Sequence, residues 1–212
     1  MTCGACEQCC PEAALQIIGR AISAQEVVRE ALCDRPYYGA EGGVTFSGGE
    51  PVMQAAFVKE VAEQLKNENI HTALDTCGMC DAGDLASLLP LMDLVLYDVK
   101  HMNTEMHHAY TGHGNERILH NLKLVMKEGT PVFVRIPVIP GFNDDPENMA
   151  ETAAFLRGYD NVVVELLPYH TYGNQKYKQL GMELPMPPFV SPTNAHMQEL
   201  KEQLTRAGIR CR

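Results

Sequence analysis

Positive charge is what this 212-residue sequence has least of: 17 Lys and Arg stand against 27 Asp and Glu, for a net charge of -10, and the basic residues form no run. That argues against a nucleic-acid partner, because such binding rests on clustered cations that neutralise phosphates. Long apolar runs are also missing. A bilayer span takes about 20 consecutive apolar residues, and no stretch here approaches that. No signal peptide opens the chain. The eight cysteines fall in short metal-ligand spacings with unpaired extras, the pattern of thiolates in a reducing compartment rather than of disulfides. The expectation is therefore a cytoplasmic protein with no membrane and no nucleic-acid partner, acting on a small molecule or another protein. With 45% hydrophobic and 21% charged residues, the chain suits one soluble globular domain with a sizeable core.

The chemistry begins at the first residues, MTCGACEQCCPEAAL. Cys3, Cys6 and Cys10, followed by Pro11, match the last three ligands of the ferredoxin pattern C-x2-C-x2-C-x3-C-P, whose first ligand would fall immediately before Met1. Soft thiolates suit iron. A four-sulfur zinc site from Cys3, Cys6, Cys9 and Cys10 is the alternative, although adjacent Cys9 and Cys10 are awkward for it. Ala13, Ala14, Leu15, Ile17 and Ile18 continue as an apolar tail that Gly19 and Arg20 lead out of.

The rest of the chain alternates strands and helices. Ser23 and Glu26 form a capping box for a helix through Val27, Val28, Ala31 and Leu32. Gly42 to Pro51, GGVTFSGGEP, reads as a short strand, a glycine turn and the start of a helix. Two glycines let a ligand approach the backbone, free N–H groups at the helix start favour an anion, and Glu50 offers an acceptor for an ammonium group. Strands are then expected at Thr72 to Thr76, Leu94 to Lys100, Val132 to Ile139 (broken by Pro137) and Val162 to Leu167, with helices at Asp84 to Leu89, Thr104 to Tyr110, Asn115 to Glu128, Asp145 to Leu156 and Thr193 to Arg206. This order implies a parallel sheet. The apolar strands fit a sheet covered on both faces, or a barrel wall.

Polar residues cluster at one place in that pattern. Ser47, Gly48, Gly49, Glu50, Asp75, Asp98, Lys100, Arg135 and His170 each sit within or just after a predicted strand, which gathers them at the carboxyl edge of the sheet. That edge carries the chemistry of α/β barrels. Each has a bland explanation taken alone: Asp75 as a turn cap, Arg135 paired with Glu165, His170 as an ordinary hydrogen-bonded residue. Together they predict a shared ligand site.

At this point the residues resemble a family, the radical S-adenosylmethionine activating enzymes of glycyl radical enzymes, of the pyruvate formate-lyase activase type. GGVTFSGGEP, LDTCG, LVLYDVKHMN, VRIPVIPGFND and LLPYHTYGNQKY carry the resemblance, which runs from Cys3 to the C-terminus. It implies an α/β fold, a partial (β/α)6 TIM-like barrel missing its first strand, over residues 21–212, preceded in residues 1–20 by the tail of a ferredoxin-like [4Fe-4S] insert to which Cys3, Cys6 and Cys10 belong. It implies that the turn Gly48, Gly49 and Glu50 binds the methionine amino group of S-adenosylmethionine. Asp75, Asp98, Lys100, Arg135 and His170 would line the same cofactor, with a monovalent cation beside it in some members. Partners implied are a glycyl radical enzyme as protein substrate and an electron donor such as flavodoxin or ferredoxin.

One departure accompanies the match. The family's C-x3-C-x2-C loop, which binds the catalytic [4Fe-4S] cluster, is absent from the sequence; Cys77-x2-Cys80 supplies two thiolates only, and Cys33 and Cys211 read as buried or incidental thiols. Without a first strand, Val44 to Phe46 would form an unpaired edge. The expectation is a chain with an internal start, a gene fragment or a truncated form, keeping the cofactor cradle without the redox step. The alternatives are a fragment that binds the glycyl radical enzyme or cofactor without turnover, and a radical enzyme with a small-molecule substrate.

Overall fold

The computed structural model describes residues 3–15, 17, 19–40, 42–171, 177, 179–183 and 190–212. Among them, β1 (Gly43–Phe46), β2 (His71–Thr76), β3 (Leu94–Asp98), β4 (Val132–Val138) and β5 (Val162–Pro168) form a five-stranded sheet in chain order. Every neighbouring pair is parallel. Parallel neighbours need crossovers, and helices supply them: α3 (Ala55–Asn67) joins β1 to β2, α4 (Ala82–Leu88) joins β2 to β3, α5 (Thr104–Thr111) and α6 (Glu116–Glu128) join β3 to β4, and α7 (Pro146–Leu156) joins β4 to β5. A helix at Asn194–Arg206 then returns the chain to β5, where Cys211 bridges Val164 in parallel.

The register sorts the strand side chains onto two unlike faces. Leu74, Val95, Val132 and Val162 share one row, and Thr76, Tyr97, Val134 and Val164 the next. All are buried against helix residues such as Leu85, Ile118, Leu122, Met149 and Leu204. The opposite face carries Asp75, Leu96 and Phe133 in one row and Asp98, Arg135 and Glu165 in the next, all half-buried. The expected cover on both faces therefore holds for the apolar face alone among the described residues. The polar face is where the candidate site lies.

Local chemistry sets the boundaries. Ser23 and Glu26 form the capping box ahead of α2 (Ala24–Cys33), and α2 packs Ala24 and Val28 against Val61, Leu65 and Ile70. Val44 and Phe46 of β1 join that cluster, so their side chains are covered although β1 stands at the sheet edge. The helix expected directly after Glu50 begins as a 3-10 turn over Pro51–Gln54 before α3. Pro137 does not break β4. Arg135 O accepts from Val99 N and Val138 O from Tyr169 N, so residue 137 faces the side where β3 has already ended and its missing N–H leaves no gap in the ladder. Residues 3–20, which include the short helix α1 (Ala5–Gln8), contain no buried residue among those described.

Asp93 joins β2 to the turn before β3. Its carboxylate accepts from Lys66 Nζ at 2.6 Å and from the Thr72 N–H at 2.8 Å. Burial works against the charge, yet these donors more than offset it and hold the Asp93 carboxyl below its ordinary 3.8. A depressed carboxyl adds stability above the unfolded value and loses it as pH falls through the folded one. Asp93→Asn is expected to cost about 1 kcal/mol at pH 7 and to flatten the fall in urea midpoint below pH 4; an unchanged acid limb would refute the assignment.

Candidate functional site

Arg135 organises the polar face. Its Nε donates to Asp98 Oδ1 at 2.8 Å, and its Nη2 bridges to the same oxygen at 2.7 Å and to Asp75 Oδ1 on the far side of β3. Ser47, just past β1, donates its hydroxyl to the other Asp75 oxygen at 3.1 Å. Four consecutive strands thus contribute to one charged network. Burial pushes the Asp98 carboxyl up, and the Arg135 guanidinium opposes that. Arg135 itself is held more firmly protonated than usual: burial disfavours its charge, but Asp98 and Asp75 outweigh it. Glu165 does not pair with Arg135; it takes Arg212 at 3.1 Å.

The glycine turn stands beside this network. Gly48 has φ +126, a conformation that L side chains rarely adopt, and a Cβ at Gly48 or Gly49 would meet no atom within 4 Å. The backbone there is open to an approaching group. Glu50 is oriented inward. One carboxylate oxygen accepts from Thr76 Oγ1 at 2.8 Å and Val52 N at 3.3 Å, the other from Cys77 N at 3.0 Å and the Cys77 thiol at 3.3 Å. Burial pushes the Cys77 thiol up, which keeps it a donor. A carboxylate has about four lone-pair positions, and these are all engaged. The carboxylate at this helix start is Glu50 itself, which caps Val52 N.

Lys100 follows β3 and is fixed through its backbone. Asn143, fully buried, donates to both Lys100 O and Pro137 O at 2.8 Å, extending the β3–β4 contact past the end of the ladder. Asn115 donates to His101 O and Met102 O, and Asn148 accepts from Met102 N, so three asparagines pin the segment after Lys100. Lys100, Asp98, Cys77 and His107 line a cavity of about 200 Å³ with Met79 and Ile118 in its wall. His107 is 3% exposed, and its Nδ1 lies 2.7 Å from His113 O. Burial lowers its pKa, so the ring is neutral at pH 7.

His170 is exposed at the end of β5 and engaged in contacts. Much of the HTYGNQKY stretch that carried part of the resemblance, residues 172–176, lies outside the described residues. Cys3 and Cys6 are exposed; Cys10 is half-exposed, and its sulfur accepts from Ala14 N at 3.3 Å, a contact that, with the Glu12 backbone, lowers its pKa. No three His, Cys, Asp or Glu side chains among the described residues stand where they could jointly hold a metal ion. Cys80 is buried, its thiol pushed up to about 12 by burial, Cys33 is exposed, and Cys211 is half-buried. No helix of the described residues is long and apolar enough to cross a membrane.

Comparison with known proteins places this geometry. Residues 4–153 match the family model of the radical SAM superfamily. The isethionate sulfite-lyase activating enzyme of Desulfovibrio desulfuricans is 41% identical over 184 residues, covering 85% of this chain and 59% of that protein. The pyruvate formate-lyase 2-activating enzyme of Escherichia coli is 36% identical over 201 residues, covering 94% of this chain and 69% of that one. A crystal structure of a domain of pyruvate-formate lyase-activating enzyme from Bacteroides vulgatus superposes with a TM-score of 0.67 at 28% identity, covering 80% of this chain and 97% of that one. The chain spans about three fifths of the length of the first of these relatives. With its parallel α/β sheet and charged carboxyl edge, the chain belongs to the radical SAM superfamily and is closely related to the activating enzymes of glycyl radical enzymes.

Proposed function

We propose that this chain carries the S-adenosylmethionine cradle of an activating enzyme that generates a glycyl radical on a partner enzyme. One observation supports the reading above others: the family motifs, far apart in sequence, converge on one edge, with Ser47, Asp75, Asp98 and Arg135 in a single network beside the open Gly48 and Gly49 turn. The residue types fit the amino-acid end of the cofactor. Turn carbonyls at Gly48 and Gly49 would take the ammonium, with Glu50 bracing the turn, and Lys100, Asp75, Asp98, Arg135 and His170 would line the remainder. When bound, the cofactor supplies the precursor of a radical that takes hydrogen from a glycine Cα. The described residues provide no thiolate set for a [4Fe-4S] cluster, so no electron-transfer step is assigned to them.

In this reading the sheet is part of a (β/α)6 barrel, β1 being its second strand, over residues 21–212, and residues 1–20 are the tail of an insert whose cysteines include Cys3, Cys6 and Cys10. A glycyl radical enzyme is the protein substrate, and a flavodoxin or ferredoxin the electron source of the whole enzyme. A titration calorimetry experiment tests the cradle: saturable S-adenosylmethionine binding is expected, weakened about tenfold by Glu50→Ala through loss of turn geometry. No heat of binding would refute it. With iron, sulfide and dithionite added, no 5′-deoxyadenosine is expected, and its formation would refute the cradle-only assignment.

A second reading is binding of the glycyl radical enzyme without turnover, in keeping with the lack of three metal-ligating side chains in one place among the described residues. It predicts capture of that partner by the immobilised chain with no loss of S-adenosylmethionine.

A further inference from the structure

Asn121 lies on α6, is not among the residues assigned to the cradle, and is fully buried. Its neighbours on the buried face of α6 are apolar: Ile118, Leu122 and Val125. The amide Nδ2 donates to Gly78 O at 2.9 Å and to Cys80 O at 3.1 Å, while Oδ1 has no partner among the described residues. The two carbonyls fix which way the amide faces, since the opposite orientation would set oxygen against oxygen. A leucine of similar size would remove the orphaned Oδ1 but take the donor away from the buried Gly78 and Cys80 carbonyls, so the amide is accounted for by what its Nδ2 holds.

The carbonyls they hold belong to the turn after β2, and that turn holds Glu50. Gly78 N donates to Thr76 Oγ1 at 2.9 Å, and Thr76 Oγ1 and Cys77 N donate in turn to the two Glu50 oxygens. A second tie runs in parallel, because Tyr97, packed beneath Gly78, donates its hydroxyl to Ile118 O on α6 at 2.7 Å. The path from α6 to Glu50 runs through hydrogen bonds linked by the Gly78 backbone, buried at the Asn121 end and part-buried at Glu50.

We infer that Asn121 is a positioning residue for the cofactor turn, acting through the Gly78 and Cys80 carbonyls to set where Cys77 and Thr76 meet Glu50. The inference rests on the cradle reading for its effect on ligand, and on geometry alone for its effect on the turn. Two readouts on the full chain separate these: S-adenosylmethionine affinity by calorimetry, and the rate of Cys77 alkylation by N-ethylmaleimide, followed by peptide mass spectrometry. Asn121→Leu is expected to raise Cys77 labelling and to weaken S-adenosylmethionine, each about tenfold, the scale on which remote residues modulate a site. Leu122→Ala, which removes packing from the same helix and leaves the two carbonyl bonds in place, is expected to lower the urea midpoint with both readouts unchanged. Should Asn121→Leu fail to fold, Asn121→Ala takes its place in the same comparison.

Labelling of the Asn121 variant at the wild-type rate would overturn the inference, and so would an equal rise in Leu122→Ala, which would mean general loosening. If the wild-type chain binds no S-adenosylmethionine, the cradle reading fails while the labelling comparison still decides the role of Asn121.

Discussion

Arg135→Met is expected to lower stability by about 2–4 kcal/mol at pH 8, the loss that follows when one partner of a partly buried ion cluster is removed. The guanidinium is 17% exposed and Asp75 and Asp98 are 24% and 30% exposed, so the two carboxylates it leaves behind on the neighbouring strands β2 and β3 are poorly hydrated. The pH dependence identifies the cause. Burial already pushes the Asp98 carboxyl up, and Arg135 is what opposes it, so the variant raises that carboxyl further. A carboxyl raised in the fold favours the native state when protonated and disfavours it when ionised, so stability is lost as pH rises through its folded value. Urea midpoints of Arg135→Met should therefore lie closer to wild type at an acid pH, where the Asp98 carboxyl is protonated, than at pH 8. Adding Asp98→Asn should restore part of the loss at pH 8, a non-additivity expected of residues in one network. A deficit equal at both pH values, with no rescue by Asp98→Asn, would mean that Arg135 acts by packing. Arg135→Lys is not expected to substitute, because one ammonium cannot span both acids as the fork does.

The same network shows what the sequence could and could not reveal. Placing Asp75, Asp98 and Arg135 on strands needed only the alternation of apolar strands and capped helices, and the capping box at Ser23 and the span of β5 follow from local chemistry, whereas β4 runs through the break expected at Pro137. Partner choice is a different matter. Arg135 stands in register with Asp98 on one side and Glu165 on the other, and sequence spacing alone leaves both open. What decides is three-dimensional: Asp75, one row behind on β2, adds a second acid on the β3 side, while Glu165 is drawn to Arg212 at the chain end. Glu50 illustrates the other limit. Its position after two glycines was legible, but the direction of its side chain depends on where the β2 turn lies, a long-range contact with Thr76 and Cys77. The asparagines at 121 and 143 carried no such signal, since each donates to a carbonyl of a segment more than forty residues away.

The second large effect is expected at Gly78. Its φ is +72, and a Cβ built there would overlap the hydroxyl and ring of Tyr97, a residue with no exposed surface. Two costs add in Gly78→Ala: backbone strain of about 1 kcal/mol and overpacking of about 1–3 kcal/mol, since Tyr97 is walled in by the main core and has nowhere to move. A total near 3 kcal/mol is a large part of what a domain of this size has to lose. Tyr97→Phe alone should cost about 1 kcal/mol, by leaving the Ile118 carbonyl without its donor. The double variant discriminates between the causes. The added methyl would still overlap the ring carbon that bore the hydroxyl, so Tyr97→Phe should not rescue Gly78→Ala, whereas Tyr97→Leu should recover part of the loss by withdrawing the ring. Full rescue by phenylalanine would mean that only the hydroxyl obstructs the turn; no rescue by leucine would leave backbone strain as the dominant cost. Because this turn carries Cys77 to Glu50, the Gly78→Ala defect should also appear as weaker S-adenosylmethionine binding under conditions where the variant remains folded.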